Sequence, residues 1–156
     1  MNLFLDLDNT LIYTSRKNKQ MICMPRPHLQ EFLDFVFKNF NVSVWTAATE
    51  KYANWVIYTF ILTNSERKLN YLLHDTHCKT SMKQYGTLKD LRLLTQVLNI
   101  PNISLKNTIL IDDLKEVCLN QKNQCINIFP FTGNSSDKEL LKMIEILKYI
   151  LTTTAS

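Results

Sequence analysis

The chain has 156 residues, one domain's length, with 46% apolar and 21% charged residues; that composition fits a globular core and excludes wholesale disorder. Its net charge of +4, from 18 basic against 14 acidic residues, permits an anionic partner without demanding nucleic acid. Only two glycines are present, Gly86 and Gly133, which excludes every glycine-rich phosphate loop. The longest apolar stretch, Trp55 to Leu62, is far shorter than the roughly 20 residues that span a bilayer. An acid at position 6 argues against a secretory signal. Cys23, Cys78, Cys118 and Cys125 show no C-x-x-C spacing, so free thiols in a reducing, intracellular setting are expected.

Leu3-Phe4-Leu5 predicts a buried strand that delivers Asp6 at its carboxyl end. Weak alternation from Leu11 to Met24 around the polar run 15–20 predicts a hairpin-like flap. Pro25 and Pro27 then break the chain. Leu29, Phe32, Leu33, Val36 and Phe40 form a helical stripe, and Val42 to Trp45 read as the next strand, ending at Thr46. Tyr52, Trp55, Val56, Thr59 and Phe60 predict a second helix, and Tyr71 to Leu73 a strand. A short irregular insert is expected after it. Thr87 to Asp90 has capping-box spacing ahead of Leu91, Leu94 and Leu98. Ile109 to Ile111 is a buried strand running into Asp112-Asp113, and Cys125 to Phe129 is another. A second capping box, Ser136 to Glu139, precedes the final helical stripe from Leu140 to Leu151. Fraying is expected over 152–156. Strands alternating with helices predict an α/β fold: one mostly parallel sheet, helices on both faces, no repeat and no linker.

Open sheets of this kind hold their sites at the carboxyl ends of strands. Asp6 and Asp8, Thr46, and Asp112 with Asp113 all fall at such ends, with Lys89 at a helix start. Several carboxylates aimed at one place need a cation, and an all-oxygen donor set favours Mg²⁺. A cation, a lysine and a hydroxyl together make a receptor for a dianionic phosphoryl group. A carboxylate held beside that group can attack phosphorus.

Asp6-Leu7-Asp8-Asn9-Thr10 resembles the first motif, D-x-D-x-T, of the haloacid-dehalogenase (HAD) superfamily of phosphatases. Val44 to Ala48 is similar to the second motif, Lys89 to the third and Ile111-Asp112-Asp113 to the fourth, in the same order. Arg26-Pro27, Glu31-Phe32-Leu33, Tyr52-Ala53, the stretch 73–78, Lys89-Asp90-Leu91 and the stretch 123–131 resemble the branch of small carboxy-terminal-domain phosphatases, the NLI-interacting-factor-like group. The resemblance implies a single Rossmann-like domain over 1–151. It implies Asp6 as nucleophile and Asp8 as general acid, then base. It implies phosphate contacts from Thr46, Ala47, Lys89, Leu7 and Asp8. It implies Mg²⁺ held by Asp6, the Asp8 carbonyl and Asp113, with Asp112 nearby. Thr10 is expected to tie down the turn after the nucleophile. The sequence departs from that branch at Asn9, where an acid is usual, and at Leu114-Lys115, where a proline usually follows the fourth motif.

Neither gap between motifs is long enough for a cap domain with its own core. An open site admits a phosphorylated segment of a macromolecule. Phosphoserine or phosphothreonine in a protein is the first expectation. Phosphotyrosine, nucleic-acid ends and small phosphate esters are the alternatives, as is a scaffold that binds phosphopeptide without turnover. Arg16, Lys17 and Lys19 can guide an anionic chain or form a solvated loop. His74, His77 and Cys78 are expected to be structural rather than a zinc site, and Trp45 and Trp55 to be core or pocket wall. Oligomeric state is not legible.

Overall fold

The computed structural model describes residues 1–155. Five parallel strands form the central sheet: β1 (Asn2–Leu5), β4 (Asn41–Trp45), β5 (Leu72–Leu73), β6 (Thr108–Asp112) and β7 (Cys125–Asn127). Their order is β5-β4-β1-β6-β7, with β1 in the middle. The flap is a separate antiparallel hairpin, β2 (Ile12–Lys17) and β3 (Gln20–Pro25). Helices α1 (Leu29–Asn39), α2 (Glu50–Val56), α3 (Asp75–Tyr85), α4 (Lys115–Cys118) and α5 (Glu139–Thr154) complete the fold. A π-helical turn, Ile57–Ile61, continues α2, and a second one covers Leu93–Val97.

The two-residue period of the strands builds both halves of the core. Leu3, Leu5, Val42, Val44, Ile109 and Ile111 face one side, with α1, the α2 segment and α5. Phe4, Trp45 and Leu110 face the other, with Cys78, Leu91, Leu93, Leu94 and Val117. Both faces are covered, and the described residues include no cap domain. Among the described residues, no helix is long and apolar enough to cross a membrane.

The chain steps outward from β1 to β4 and β5, then returns to β6 on the other side of β1. The crevice at that reversal is where open sheets bind ligands. Leu5 pairs with Val44 and with Ile111, so Asp6, Thr46 and Asp112-Asp113 emerge at one end of three adjacent strands.

Several local expectations are corrected. The insert before Lys89 contains α3, an eleven-residue helix. Only Cys78 and Ser81 of it are buried, so it lacks the apolar stripe by which a helix is read. Gly86 ends it at φ 75, where its amide donates to the Met82 carbonyl. Neither capping box forms as spaced. Asp90, not Thr87, accepts from a backbone amide, that of Arg92 at 2.9 Å. Asp137, not Ser136, accepts from the Glu139 amide at 3.0 Å, because Arg26 fixes its carboxylate there. Leu98 and Trp55 are partly exposed rather than core. The short α4 was not expected, and β7 ends at Asn127, before Phe129.

The expectation of four free thiols also fails. Cys118 and Cys125 are bonded, their Cα atoms 5.1 Å apart, because the chain turns back between α4 and β7. Cys23 and Cys78 are free. Residues 152–154 belong to α5; the rest of the fraying expected there falls partly on Ser156, outside the described residues.

Candidate active site

Asp6 directly follows β1, and its amide donates to the Ile111 carbonyl at 3.1 Å. Its carboxylate is almost wholly buried. Lys89 Nζ donates to Oδ1 at 2.7 Å and Thr10 Oγ1 to Oδ2 at 2.8 Å. Thr10 therefore acts on the carboxylate itself rather than only on the turn; it also reaches Asp113 Oδ1 at 3.3 Å. The turn is closed by the backbone, with the amides of Thr10, Leu11 and Ile12 donating to the Leu7 carbonyl. The Leu7 side chain is fully buried in the core, so only its backbone can face a ligand. Asn9 sits at φ 62, a left-handed conformation that asparagine tolerates well. Its side chain donates to the Phe131 carbonyl at 3.1 Å, which gives the departure from an acid a structural use.

Lys89 lies in the loop between α3 and the 93–97 turn and is 1% exposed. Its ammonium bridges Asp6 and Asp112, the latter at 2.6 Å. Burial lowers the tendency of Lys89 to carry charge, but Asp6 and Asp112 more than offset this and hold its pKa above the ordinary lysine value. Ser81 pins the loop, donating to the Thr87 carbonyl and accepting from the Asp90 amide. Gln121 clamps it from the other side, donating to the Lys89 carbonyl at 2.6 Å.

Asp112 spends both oxygens inside the protein. Oδ2 accepts from Lys89, and Oδ1 accepts from the Leu114 amide at 2.9 Å. Burial, with Asp6 adding repulsion, pushes its pKa up to about 6. Burial likewise pushes Asp113 up to about 7, with Asp6 as the next cause. Asp6, Asp112 and Asp113 present carboxylate oxygens that all lie within 4.8 Å of one another. One lysine against three carboxylates leaves an excess of negative charge. An all-oxygen donor set with that excess fits a hard divalent cation.

Asp8 is half-buried, and Tyr52 hydroxyl donates to its Oδ1 at 2.8 Å. Burial raises the Asp8 pKa, the Tyr52 bond opposes this, and Asp6 adds to the rise. Tyr52 itself is raised, first by burial and then by Asp8. Thr46 is buried just past β4, its hydroxyl accepting from the Ala48 amide at 3.0 Å. Ala47 beside it is exposed, on the wall of a cavity of about 440 Å³ that Cys78 and Met82 also line.

The sequence missed the residues that hold these groups in place. Tyr52 enters the sequence reading only as part of a helical stripe and as matching the branch, Arg26 only as matching the branch, and Ser81 and Gln121 not at all. Arg26 is 1% exposed and forks onto Asp137 with two bonds of 2.9 Å. It also donates to the carbonyls of Thr10 and Phe129, tying the turn after β1 to the start of α5. The His77 ring accepts from the His74 amide at 3.0 Å, and the His74 ring contacts Asp75 and Glu50. Arg16, Lys17 and Lys19 are exposed on the flap.

Known proteins resemble this chain. The family model for NLI interacting factor-like phosphatase matches residues 1–156. The chain is 36% identical over 176 residues to the CTD phosphatase-like protein 355R of Invertebrate iridescent virus 6, covering 94% of this chain and 96% of that one. It is 28% identical over 155 residues to the human ubiquitin-like domain-containing CTD phosphatase 1, covering 95% of this chain and 49% of that one. Among solved structures, fission yeast RNA polymerase II CTD phosphatase Fcp1 bound to beryllium fluoride shares the fold. The TM-score is 0.58 at 16% identity, over 97% of this chain and 50% of that one. The chain thus spans about half the length of the human and yeast proteins and nearly all of the viral one. It belongs to the NLI interacting factor-like phosphatase family, phosphoric monoester hydrolases of the HAD type.

Proposed function

We propose that this chain is a Mg²⁺-dependent phosphatase that removes phosphate from phosphoserine or phosphothreonine in a protein segment, through an aspartyl-phosphate on Asp6. The observation that carries the reading is the junction of Asp6, Lys89, Asp112 and Asp113 at the ends of β1 and β6, with Asp8 two residues on.

Asp6 is the nucleophile. Thr10 and Lys89 fix its two oxygens, so little reorganisation precedes attack on phosphorus. An ammonium has three donors; Lys89 uses two on carboxylates, and the third serves a phosphoryl oxygen. Thr46 and the backbone of Leu7, Asp8 and Ala47 supply the remaining phosphate contacts. Asp8 protonates the leaving oxygen as the P–O bond breaks, then takes a proton from the water that hydrolyses the acyl phosphate. Asp6, Asp113 and the Asp8 carbonyl would hold Mg²⁺, with Asp112 turned toward Lys89. A cation bound there supplies positive charge against the carboxylates and phosphoryl oxygens.

The uncapped crevice supports a macromolecular substrate. A relative named as a CTD phosphatase and a viral one named as CTD phosphatase-like favour a phosphorylated protein segment, and intracellular action goes with that substrate class. The test is hydrolysis of an aryl phosphate with and without Mg²⁺ by wild type, Asp6→Asn and Asp8→Asn, followed by a phosphopeptide panel. Turnover requires Mg²⁺ and is abolished in Asp6→Asn. Equal rates for wild type and Asp6→Asn would overturn the mechanism. A panel in which small phosphate esters outpace all phosphopeptides would overturn the substrate.

A further inference from the structure

Asp8 stands in the turn after β1, and its backbone makes a single isolated bridge, to Ile12. Among the described residues, no cap domain covers it. Among the described residues, Tyr52 is the one side chain that hydrogen-bonds the Asp8 carboxylate. The two lie 44 positions apart in sequence. Tyr52 is itself anchored. It occupies the first turn of α2, where its amide donates to the side chain of the capping residue Thr49. The next residue, Ala53, is fully buried. The Tyr52 ring packs at 6.3 Å on Trp55, whose other side meets Phe60 edge-on at 6.1 Å. Trp55 is 46% exposed, while Phe60 packs against the main core. The ladder therefore ties the tyrosine ring, through Trp55, to a residue anchored on the core.

From this geometry we infer that Tyr52 is a positioning residue: its hydroxyl holds Oδ1 of Asp8 so that Oδ2 carries the proton to the leaving oxygen. The inference rests on the phosphatase reading and adds to it a device that sets which substrates the enzyme serves. With Oδ1 engaged as acceptor, the proton sits on Oδ2. As the P–O bond to the substrate oxygen breaks and the bond from Asp6 to phosphorus forms, that proton passes to the leaving oxygen and Asp8 becomes a carboxylate. The Tyr52 hydrogen bond strengthens as that charge appears. An alkoxide such as that of serine cannot depart without the proton, whereas an acidic phenol can. Tyr52 thus matters for alkyl phosphate esters and little for activated aryl esters.

The experiment measures kcat/KM of wild type and Tyr52→Phe, with Mg²⁺, on p-nitrophenyl phosphate and on a phosphoserine peptide. kcat/KM reports the first irreversible step, cleavage of the leaving group. Tyr52→Phe keeps the ring and removes only the donor. The expected loss is about 10- to 100-fold on the peptide, part of the roughly 10²–10⁴ that general acid catalysis supplies, and less than about threefold on the aryl ester. The ratio of the two rates is insensitive to the fraction of variant folded, since misfolding lowers both alike. In an Asp8→Asn background, Tyr52→Phe causes no further loss on the peptide. An equal loss on both substrates, no loss, or a full additional loss in the Asp8→Asn background would overturn the inference while leaving the phosphatase reading standing. A wild type inactive on both substrates would overturn both.

Discussion

Replacing Lys89 by methionine isolates the counter-charge on which the site depends. The side chain is 2% exposed, so methionine of similar length fills its space while removing the ammonium. Two bonds are lost, at 2.7 Å to Asp6 and 2.6 Å to Asp112. Truncating one partner of a buried ion pair costs about 3–5 kcal/mol, because the remaining charge is left unpaired. For a chain of this length that is a fall in Tm of roughly 6–20 °C. The loss depends on pH with a definite sign. Lys89 has its pKa raised above the ordinary lysine value, so it stays charged from pH 5.5 to 8. Without it, Asp112, already raised to about 6 and held down from higher by Lys89, rises further, while Asp113 is already at about 7. Acids with raised native pKa values destabilise the fold progressively as pH climbs from their unfolded values toward the native ones. Lys89→Met therefore costs more at pH 8 than at pH 5.5, and Mg²⁺ recovers part of the loss at pH 8. Thermal or urea unfolding under the four conditions reads this out. In an Asp112→Asn background the same substitution costs less, since one of the unpaired charges is gone. A Tm change under 2 °C, or one identical at both pH values, would refute the electrostatic argument.

In the parent protein the same raised acids predict that metal-free stability declines as pH rises from about 4 to about 7. Because a cation takes the deprotonated carboxylates, Mg²⁺ raises Tm more at pH 7.5 than at pH 5.5, measured against an EDTA-treated sample. Arg26→Met leaves Asp137 and two carbonyls without their buried partner, costing about 3–5 kcal/mol in urea unfolding; Arg26→Lys recovers little, lacking the fork that meets both Asp137 oxygens. Thiol titration in denaturant without reductant counts two reactive cysteines rather than four, and replacing Cys118 and Cys125 together by serine costs about 2 kcal/mol, as expected for so short a closed loop.

The carboxylates could be read in advance because each sits directly after an apolar strand. A run such as Ile109 to Ile111 announces both the strand and the acids that end it. Their supports could not, because they come from distant parts of the chain. Gln121 grips the Lys89 backbone across 32 positions, and Arg26 grips Asp137 across 111. Nothing local distinguishes Gln121 from the surface glutamines. Helix α3 escaped because its inward face is short and barely apolar, just Cys78 and Ser81. The capping boxes misled for a related reason. Spacing offers several polar residues as caps, and tertiary partners decide which is used: Arg26 draws Asp137 into that role.

By itself the sequence determined the strand and helix alternation, the parallel sheet it entails, and which acids stand at strand ends. Those follow from side-chain periodicity and burial within a few residues. Only the tertiary structure decided how the acids are shared out: Asp112 turned inward to Lys89 and the Leu114 amide, Asp6 divided between Lys89 and Thr10, and Asp8 held by a tyrosine on another element. Hydrogen-bond partners and local dielectric depend on distances across the fold, and those exist only once β1, β4 and β6 lie side by side.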